Sequence, residues 1–361
     1  MGGSLEQFQK VYRMLEDEES RNVYLNKLNW LISNNQNYID AIVTNYIPKA
    51  PLFTGKSVQE LLDSLPQDRG FVLYGAGIVG KTILPHFQND RRFVGFCSKT
   101  KEKQDNGYCG YPVMSPEELI SRKNLSVIIS TTRADEEIHQ ILLNGEYPEE
   151  LIHHVMEYYR YEDPGQYFAP DFMTYGDNEV LVDVGCCELN SSLEMLRHCQ
   201  KVKKIYAFEP DPDNYKICLE RKIRHHLEQI ELLPLGAWSE RTSLRFDAVG
   251  NGVSHVCEAG GCCISVIPID DVADPTEQIT MIKMDIEGAE LEALKGAKET
   301  IQRDKPKLAV CIYHRPEDMV EIPLYIKQLV PDYKLYIRHH SNTAGETVLY
   351  AVMPENFSHR K

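Results

Sequence analysis

The sequence predicts an α/β chain with two Rossmann-like halves behind a helical extension, and three features carry that prediction. Short apolar runs alternate with helical periodicity twice along the chain, as in parallel sheets covered by helices. In each half one such run enters a glycine-bearing turn: Phe71-Val72-Leu73-Tyr74 leads into Gly75-Ala76-Gly77-Ile78-Val79-Gly80, and Glu179-Val180-Leu181-Val182 leads into Asp183-Val184-Gly185. The last two runs have no helical pattern between them. The turn-rich Ser341-Asn342-Thr343-Ala344-Gly345 joins them, which reads as an antiparallel hairpin. A length of 361 residues also suits two domains plus an extension better than one core.

In chain order, residues 1–50 form the expected helical extension. Leu5, Phe8, Val11, Tyr12 and Leu15 recur at helical spacing, as do Leu25, Leu28, Leu31 and Ile32, and Pro48 and Pro51 close the segment. An amphipathic cap or a homodimerisation arm is the reading. Residues 51–160 form the first parallel-sheet half, with strands at 71–74, 93–96 and 126–130 and helices at 81–87 and through Glu136–Leu142. Pro164, Gly165 and Pro170 mark the passage to the second domain, 161–361. Its strands are expected at 179–184, 203–208, 230–235, 279–284 and 307–313, with helices between most of them, and its hairpin near 333–338 and 346–353.

The charge balance is 39 basic against 54 acidic residues, a net of −15. That argues against a nucleic-acid partner, because such binders gain affinity by neutralising phosphates. No apolar run is long enough to span a bilayer, and the first residues lack the apolar stretch of an export signal. Glu6 stands where a myristoylation motif on Gly2 needs Ser or Thr. Ten cysteines without an export signal read as reduced thiols of a cytoplasmic protein. Neither Cys186 and Cys187 nor Cys257, Cys262 and Cys263 have the paired spacing of a zinc site, and no metal is expected.

The chemistry-bearing residues fall at predicted strand ends. Gly185 lets a backbone approach a ligand, and the helix start after it offers free amides to a carboxylate or phosphate. Glu209 ends the next strand in Tyr206-Ala207-Phe208-Glu209-Pro210, where an acid accepts two ribose hydroxyls. Leu235-Gly236-Ala237-Trp238 sets a small residue and an aromatic after the third strand, near the place of an adenine or simply in the core. The densest run is Lys283-Met284-Asp285-Ile286-Glu287-Gly288-Ala289-Glu290, followed by Leu294-Lys295-Gly296-Ala297. Acids suit the positive end of a helix, but that does not explain a lysine and an aspartate in a strand that should be buried.

This run resembles the hallmark of FkbM-family methyltransferases, Lys-x-Asp-x-Glu-Gly-x-Glu followed by Leu-x-Gly-Ala. Asp183-Val184-Gly185 and Phe208-Glu209-Pro210 resemble the family's cofactor motifs. Ile269-Asp270-Asp271-Val272 resembles the strand before the hallmark, and Ile312–Asp318 and Tyr336–His340 resemble segments of one subgroup. The resemblance covers about residues 165–353. It implies a class I methyltransferase sheet and methyl transfer from S-adenosylmethionine to a hydroxyl of a sugar, lipid or secondary metabolite. The cofactor would be held by Asp183, Gly185, Cys186, Glu209, Pro210, Ala237 and Trp238. Asp285, Glu287 and His314 are the candidate catalytic residues, as bases for the hydroxyl. Asp270, Asp271, Asp285 and Glu287 are the acids that would have to meet to form an oxygen-rich cation site. Leu189 stands where the family has a second glycine, which is expected to narrow the methionine end of the pocket.

The alternative places function in the first half. Gly75, Gly77 and Gly80 form a second nucleotide-like site, similar to the NAD(P)-binding-like domain fused to some family members. It would make the chain an oxidoreductase, an epimerase or a sugar-nucleotide-binding scaffold. The acid expected after its second strand is absent: Phe96-Cys97-Ser98-Lys99 occupies the position, and Lys99 is the residue there that could meet a phosphate.

Overall fold

The computed structural model describes residues 4–35, 37–47, 58–131, 135–155, 158, 165–199, 201–247, 255–256, 261–341 and 343–354. The chain divides into two compact units, residues 1–47 with 163–361 and residues 48–162.

Three helices open the first unit: α1 (Leu5–Met14), α2 (Glu18–Ser33) and α3 (Asn37–Tyr46). Ser4 and Gln7 cap α1 reciprocally, each side chain accepting the other's backbone N–H, and Asp17 caps α2. Part of the stripe read from the sequence, Phe8, Val11, Tyr12, Leu15, Leu28 and Leu31, is used within the chain, whereas Leu5, Leu25 and Ile32 are exposed. Val11, Leu15, Val23, Tyr24, Ile39 and Ile42 are buried in one core with the C-terminal sheet.

The second unit contains α4 (Val58–Ser64), β1 (Phe71–Tyr74), α5 (Ile78–Phe87), β2 (Phe93–Cys97), α6 (Lys101–Asn106), β3 (Val113–Met114), α7 (Pro116–Arg122), β4 (Ser126–Ile129), α8 (Asp135–Asn144) and β5 (Ile152–His154). Its strands form one parallel sheet in the order β3-β2-β1-β4-β5.

The first unit resumes with β6 (Glu179–Val184), α9 (Asn190–His198), β7 (Val202–Phe208), α10 (Pro212–Arg224) and β8 (Ile230–Leu233). A small sheet follows, made of β9 (Gly236–Ala237), β10 (Thr242–Asp247), β11 (His255–Val256) and β12 (Cys262–Ile267). Then come β13 (Met281–Met284), α11 (Glu290–Lys295), α12 (Lys298–Asp304), β14 (Lys307–Cys311), α13 (Asp318–Leu329), β15 (Lys334–His339) and β16 (Thr347–Val352). The large sheet runs β15-β16-β14-β13-β6-β7-β8, parallel except at the β15–β16 hairpin, where β16 is antiparallel to both neighbours. Among the described residues no helix is long and apolar enough to cross a membrane.

Strands β6, β13 and β14 are buried along their whole length, as parallel strands covered on both faces must be. Alternate residues serve opposite faces: Val180, Val182 and Val184 join the core shared with the N-terminal helices, whereas Leu181 joins the other. Edge strand β15 alternates between buried and half-buried positions. The N-terminal segment covers this edge. Glu16 N–H donates to Leu335 O at 3.0 Å, Ile337 N–H donates to Ser20 Oγ at 2.9 Å, and Arg338 pairs with Asp17 at 2.6 Å. An edge so covered cannot recruit another strand.

One element joins those expected, and one expectation needs correction. The four-stranded sheet β11-β10-β12-β9 stands between β8 and β13. Ile269–Asp271 is a 3-10 turn rather than a strand, because Pro268 leads into it and Asp270 turns aside to cap α12.

Candidate functional site

The lysine and aspartate inside the buried strands face each other. Lys283 lies directly across from Asp183 in the β13–β6 register, and their charged atoms are 3.3 Å apart at nearly complete burial. Such a charge is tolerable only when paired and hydrogen-bonded. Lys283 also donates to Gly185 O at 2.7 Å, and Asp183 accepts from Ser191 at 2.9 and 2.8 Å and from Ser192 at 2.6 Å. Asp183 therefore braces the turn and the start of α9 from beneath, and its side chain does not face a ligand space. Cys186 is likewise buried, its Sγ 3.9 Å from that of Cys218.

Above the turn lies a cleft lined by residues from several strand ends. Gly185 (from β6), Glu209 and Pro210 (after β7), Ala237 and Trp238 (from β9), and Asp285 and Glu287 (after β13) all line it. The structure thus gathers seven of the sequence candidates around one cleft, five at the carboxyl edge of the large sheet, where open α/β folds bind ligands, and Ala237 and Trp238 at the end of β9 in the small sheet. Cys187, rather than Cys186, reaches the wall. The small sheet supplies Phe246, Ile264 and Val266, none of them anticipated.

Gly185 has φ +77°, and a Cβ there would lie 2.1 Å from Asp285 O. Only glycine fits where the β6 turn meets the β13 loop. Glu209 is 4% exposed and accepts Asp211 N–H at 2.9 Å. Burial pushes its carboxyl up to about 7, against the opposing backbone hydrogen bonds.

Leu189 does not narrow the cleft. It takes the left-handed conformation (φ 61°, ψ 20°) that a glycine would take, and its side chain is fully buried with Met195 and Cys186. Leu189→Gly is therefore expected to relieve about 1–2 kcal/mol of backbone strain but lose about 3–5 kcal/mol of packing. Denaturant unfolding should show a net loss, while the affinity for S-adenosylhomocysteine measured by calorimetry stays within twofold. A gain in affinity would contradict this placement.

The hallmark turn carries the polar end of the cleft. Glu287 (φ 54°) and Gly288 (φ 97°) are consecutive left-handed residues, a costly conformation of the kind held at functional turns. Glu290 fixes the turn: fully buried, it accepts the N–H groups of Ile286 and Gly288 at 2.9 and 3.0 Å, and its Oε1 lies 2.8 Å from His314 Nδ1. His314 stands behind the cleft wall rather than in it. Burial opposes its protonation, but Glu290, Asp285 and Glu287 together raise the imidazole to about 9. Burial alone would raise the Asp285 carboxyl. Lys283, then His314 and the Tyr167 hydroxyl, overcome that and hold it below the usual carboxylate range. Tyr167 donates to Asp285 Oδ2 at 2.8 Å, and the Lys283 ammonium lies 5.0 Å from its ring centroid. Tyr167 and Glu290 escaped the sequence reading, although the final glutamate of the hallmark pointed to the second.

Asp270 and Asp271 do not join this site. Asp270 accepts Glu299 and Thr300 N–H groups, and Asp271 pairs with Arg241. The described cysteines are free thiols, and Cys257 lies outside the described residues.

In the second unit, a Cβ on Gly75 would lie 2.5 Å from Ser130 O, one on Gly80 2.2 Å from Gly75 O, and Gly77 begins α5 with open space around it. Tyr108 donates to Gly77 O at 2.9 Å, and Lys103 donates to Ala76 O. Lys99 pairs with Glu137 at 2.6 Å. Close strand–helix packing accounts for two of these glycines without a ligand.

Residues 182–335 match the family model described as the methyltransferase FkbM domain. A hexuronic acid methyltransferase, AglP of Haloferax volcanii, is 30% identical over 109 residues, which is 29% of this chain and 45% of that protein. The matched part thus spans less than half of that relative. Among solved structures, methyltransferase FkbM of Methylobacillus flagellatus aligns with 87% of this chain and 96% of its own, at 21% identity and a TM-score of 0.47. SMU.1697c of Streptococcus mutans, solved in complex with SAH, aligns with 50% of this chain and 92% of its own, at 14% identity and a TM-score of 0.33.

Proposed function

We propose that this chain, which carries an FkbM methyltransferase domain over residues 182–335, transfers the methyl group of S-adenosylmethionine to a hydroxyl oxygen of a sugar or similar small acceptor. The observation that carries the reading is the convergence of Gly185, Glu209 and Asp285 in one cleft, at the tips of three adjacent strands. The cleft fits the cofactor. Gly185 leaves that stretch of the cleft wall without a side chain, the buried carboxyl of Glu209 would meet the ribose hydroxyls, and Trp238, Phe246 and Ile264 would offer an apolar place for adenine. When bound, S-adenosylmethionine supplies an electrophilic methyl carbon on a sulfonium.

The chain's residues then do the positioning from which most acceleration can come. Asp285, held by Tyr167 and kept ionised by Lys283, fixes the polar end of the cleft. With the cofactor bound, Glu287 would take the proton of the acceptor hydroxyl as that oxygen receives the methyl group and S-adenosylhomocysteine leaves. A sugar acceptor is favoured by the likeness to a hexuronic acid methyltransferase. The cytoplasm is the proposed location, and a homodimer through the N-terminal helices would have to use the face of α1 and α2 that carries Leu5, Leu25 and Ile32, which are exposed.

Calorimetric titration with S-adenosylhomocysteine tests the reading, and its pH dependence tests the role of Glu209. Ribose hydroxyls need the ionised carboxylate as acceptor, so protonation competes with binding. With the free carboxyl near 7, affinity should fall roughly tenfold from pH 8 to pH 6. Glu209→Gln should bind weakly and lose that pH dependence. No binding of the ligand at any pH would overturn the proposal.

A further inference from the structure

Cofactor and acceptor have to divide one sheet edge between them. Gly185 and Glu209, the proposed cofactor contacts, stand at the tips of β6 and β7. The strand order β14-β13-β6-β7 leaves the tips of β13 and β14 for the acceptor. Asp285 and Glu287 follow β13. The chain leaving β14 carries Tyr313, His314 and Arg315, and of these Arg315 is the exposed one.

Arg315 is fixed at its backbone and along its stem. Its N–H donates to Asp318 Oδ2 at 3.2 Å, and its carbonyl accepts Asp318 N–H at 3.1 Å. The stem lies across the hallmark turn: a Cβ on Gly288 would stand 3.1 Å from both Cγ and Cδ of Arg315. The glycine makes room for the arginine's methylenes to pack while its charged end stays in water. Among the described residues that guanidinium forms no hydrogen bond or ion pair. Its charge acts on Glu292 and Asp318, yet Glu292 is bonded instead by Ser239 and Lys295. The neighbouring cations are engaged: Lys283 with Asp183, Lys295 with Glu292, Arg241 with Asp271. In a chain with 54 acidic and 39 basic residues, an arginine that stands among acids and bonds to none of them has its donors available for a ligand.

We propose that Arg315 binds an anionic group of the acceptor, a carboxylate or a phosphate borne by a sugar, and so selects charged sugars over neutral ones. That the bound sugar is a methyl acceptor rests on the methyl-transfer reading; the anion site itself does not. The planar guanidinium fork takes two oxygens of such a group at once, which sets the orientation of the sugar as well as its affinity. Asp285 and Glu287 repel the same group, so the anion stays at the rim with Arg315 and leaves a hydroxyl of the molecule for the cleft. A neutral sugar gains nothing from Arg315.

The test titrates the full chain by calorimetry with methyl glucuronoside, glucose 6-phosphate and methyl glucoside, each with and without S-adenosylhomocysteine. At least one charged sugar is expected to bind about 10- to 100-fold more tightly than methyl glucoside, the range of a charge-assisted pair. Which of the two does so separates carboxylate from phosphate. Arg315→Gln should abolish the preference, and Arg315→Lys, which keeps the charge and the stem but not the fork, should retain only part of it. Thermal unfolding checks both variants, and Arg315→Lys carries the comparison if Arg315→Gln melts below the wild type. No preference of the wild type for either charged sugar, or a preference that survives in the folded variants, overturns the proposal. If S-adenosylhomocysteine binds and no charged sugar is preferred, the anion site falls and the methyltransferase reading stands. If the preference depends on Arg315 while S-adenosylhomocysteine does not bind, that reading falls and the anion site stands.

Discussion

Gly185→Ala is expected to lose both stability and cofactor binding. The residue sits at φ +77°, which costs a β-carbon-bearing residue about 1–2 kcal/mol. The new methyl would also lie 2.1 Å from Asp285 O, 2.9 Å from the Ile286 side chain and 3.1 Å from Asp285 C. Two of those atoms are backbone, so relief requires the β13 loop to move, adding about 1–3 kcal/mol of overpacking. The loop cannot move alone, because Lys283 ties Gly185 O to Asp183, and Glu290 ties Ile286 and Gly288 to His314. The sum of about 2–5 kcal/mol corresponds to a fall in melting temperature of roughly 5–15 °C for a unit of this size. Affinity for S-adenosylhomocysteine should fall with it, since Asp285 and the amide-rich turn shift together. Circular dichroism melting and calorimetry check both. A melting temperature within 2 °C of wild type, with unchanged affinity, would sink the claim that the β6 turn and the hallmark loop interlock.

Much of this arrangement is legible in the sequence because of how parallel sheets are built. Strands covered on both faces appear as continuous apolar runs, so Glu179–Val184 emerges with its observed bounds. Ligand residues cluster at strand tips, so Glu209 and Asp285 emerge with their strands. The failures have physical causes too. Asp183 lies in a strand buried on both sides, and only the register with Lys283 shows that its partner is a cation rather than a ligand. Leu189 defies expectation because few leucines adopt the left-handed region, and a side chain attached there points into the core instead of the cleft. The small sheet is missed because β12 mixes exposed and buried positions over a short span without clean alternation. Its Phe246 and Ile264 reach the cleft through tertiary pairing alone. Tyr167 meets Asp285 across 118 positions of sequence, a contact that no local pattern announces.

Glu287→Gln is expected to lower kcat by roughly 100- to 1,000-fold, the range of a lost general base, with the affinity for S-adenosylhomocysteine kept within about threefold. The choice among the three catalytic candidates follows from their partners. His314 is raised to about 9 by Glu290, Asp285 and Glu287, so at neutral pH it already carries the proton a base would have to accept. Asp285 has one oxygen bonded by Tyr167 and the other facing His314, and Lys283 stabilises its charge. A carboxylate held below the usual range is a weaker base and a better anchor. Glu287 lines the cleft, 26% exposed, on a turn whose left-handed backbone places it ahead of His314. The measurement is release of S-adenosylhomocysteine from S-adenosylmethionine against a panel of hexuronic acid and hexose glycosides. Asp285→Asn should behave differently: it leaves Lys283 and His314 without their shared anion, so it is expected to impair cofactor affinity and stability as well as rate. If Glu287→Gln keeps kcat within threefold while Asp285→Asn abolishes turnover at native cofactor affinity, the proton goes to Asp285 and the assignment of the two carboxylates is reversed.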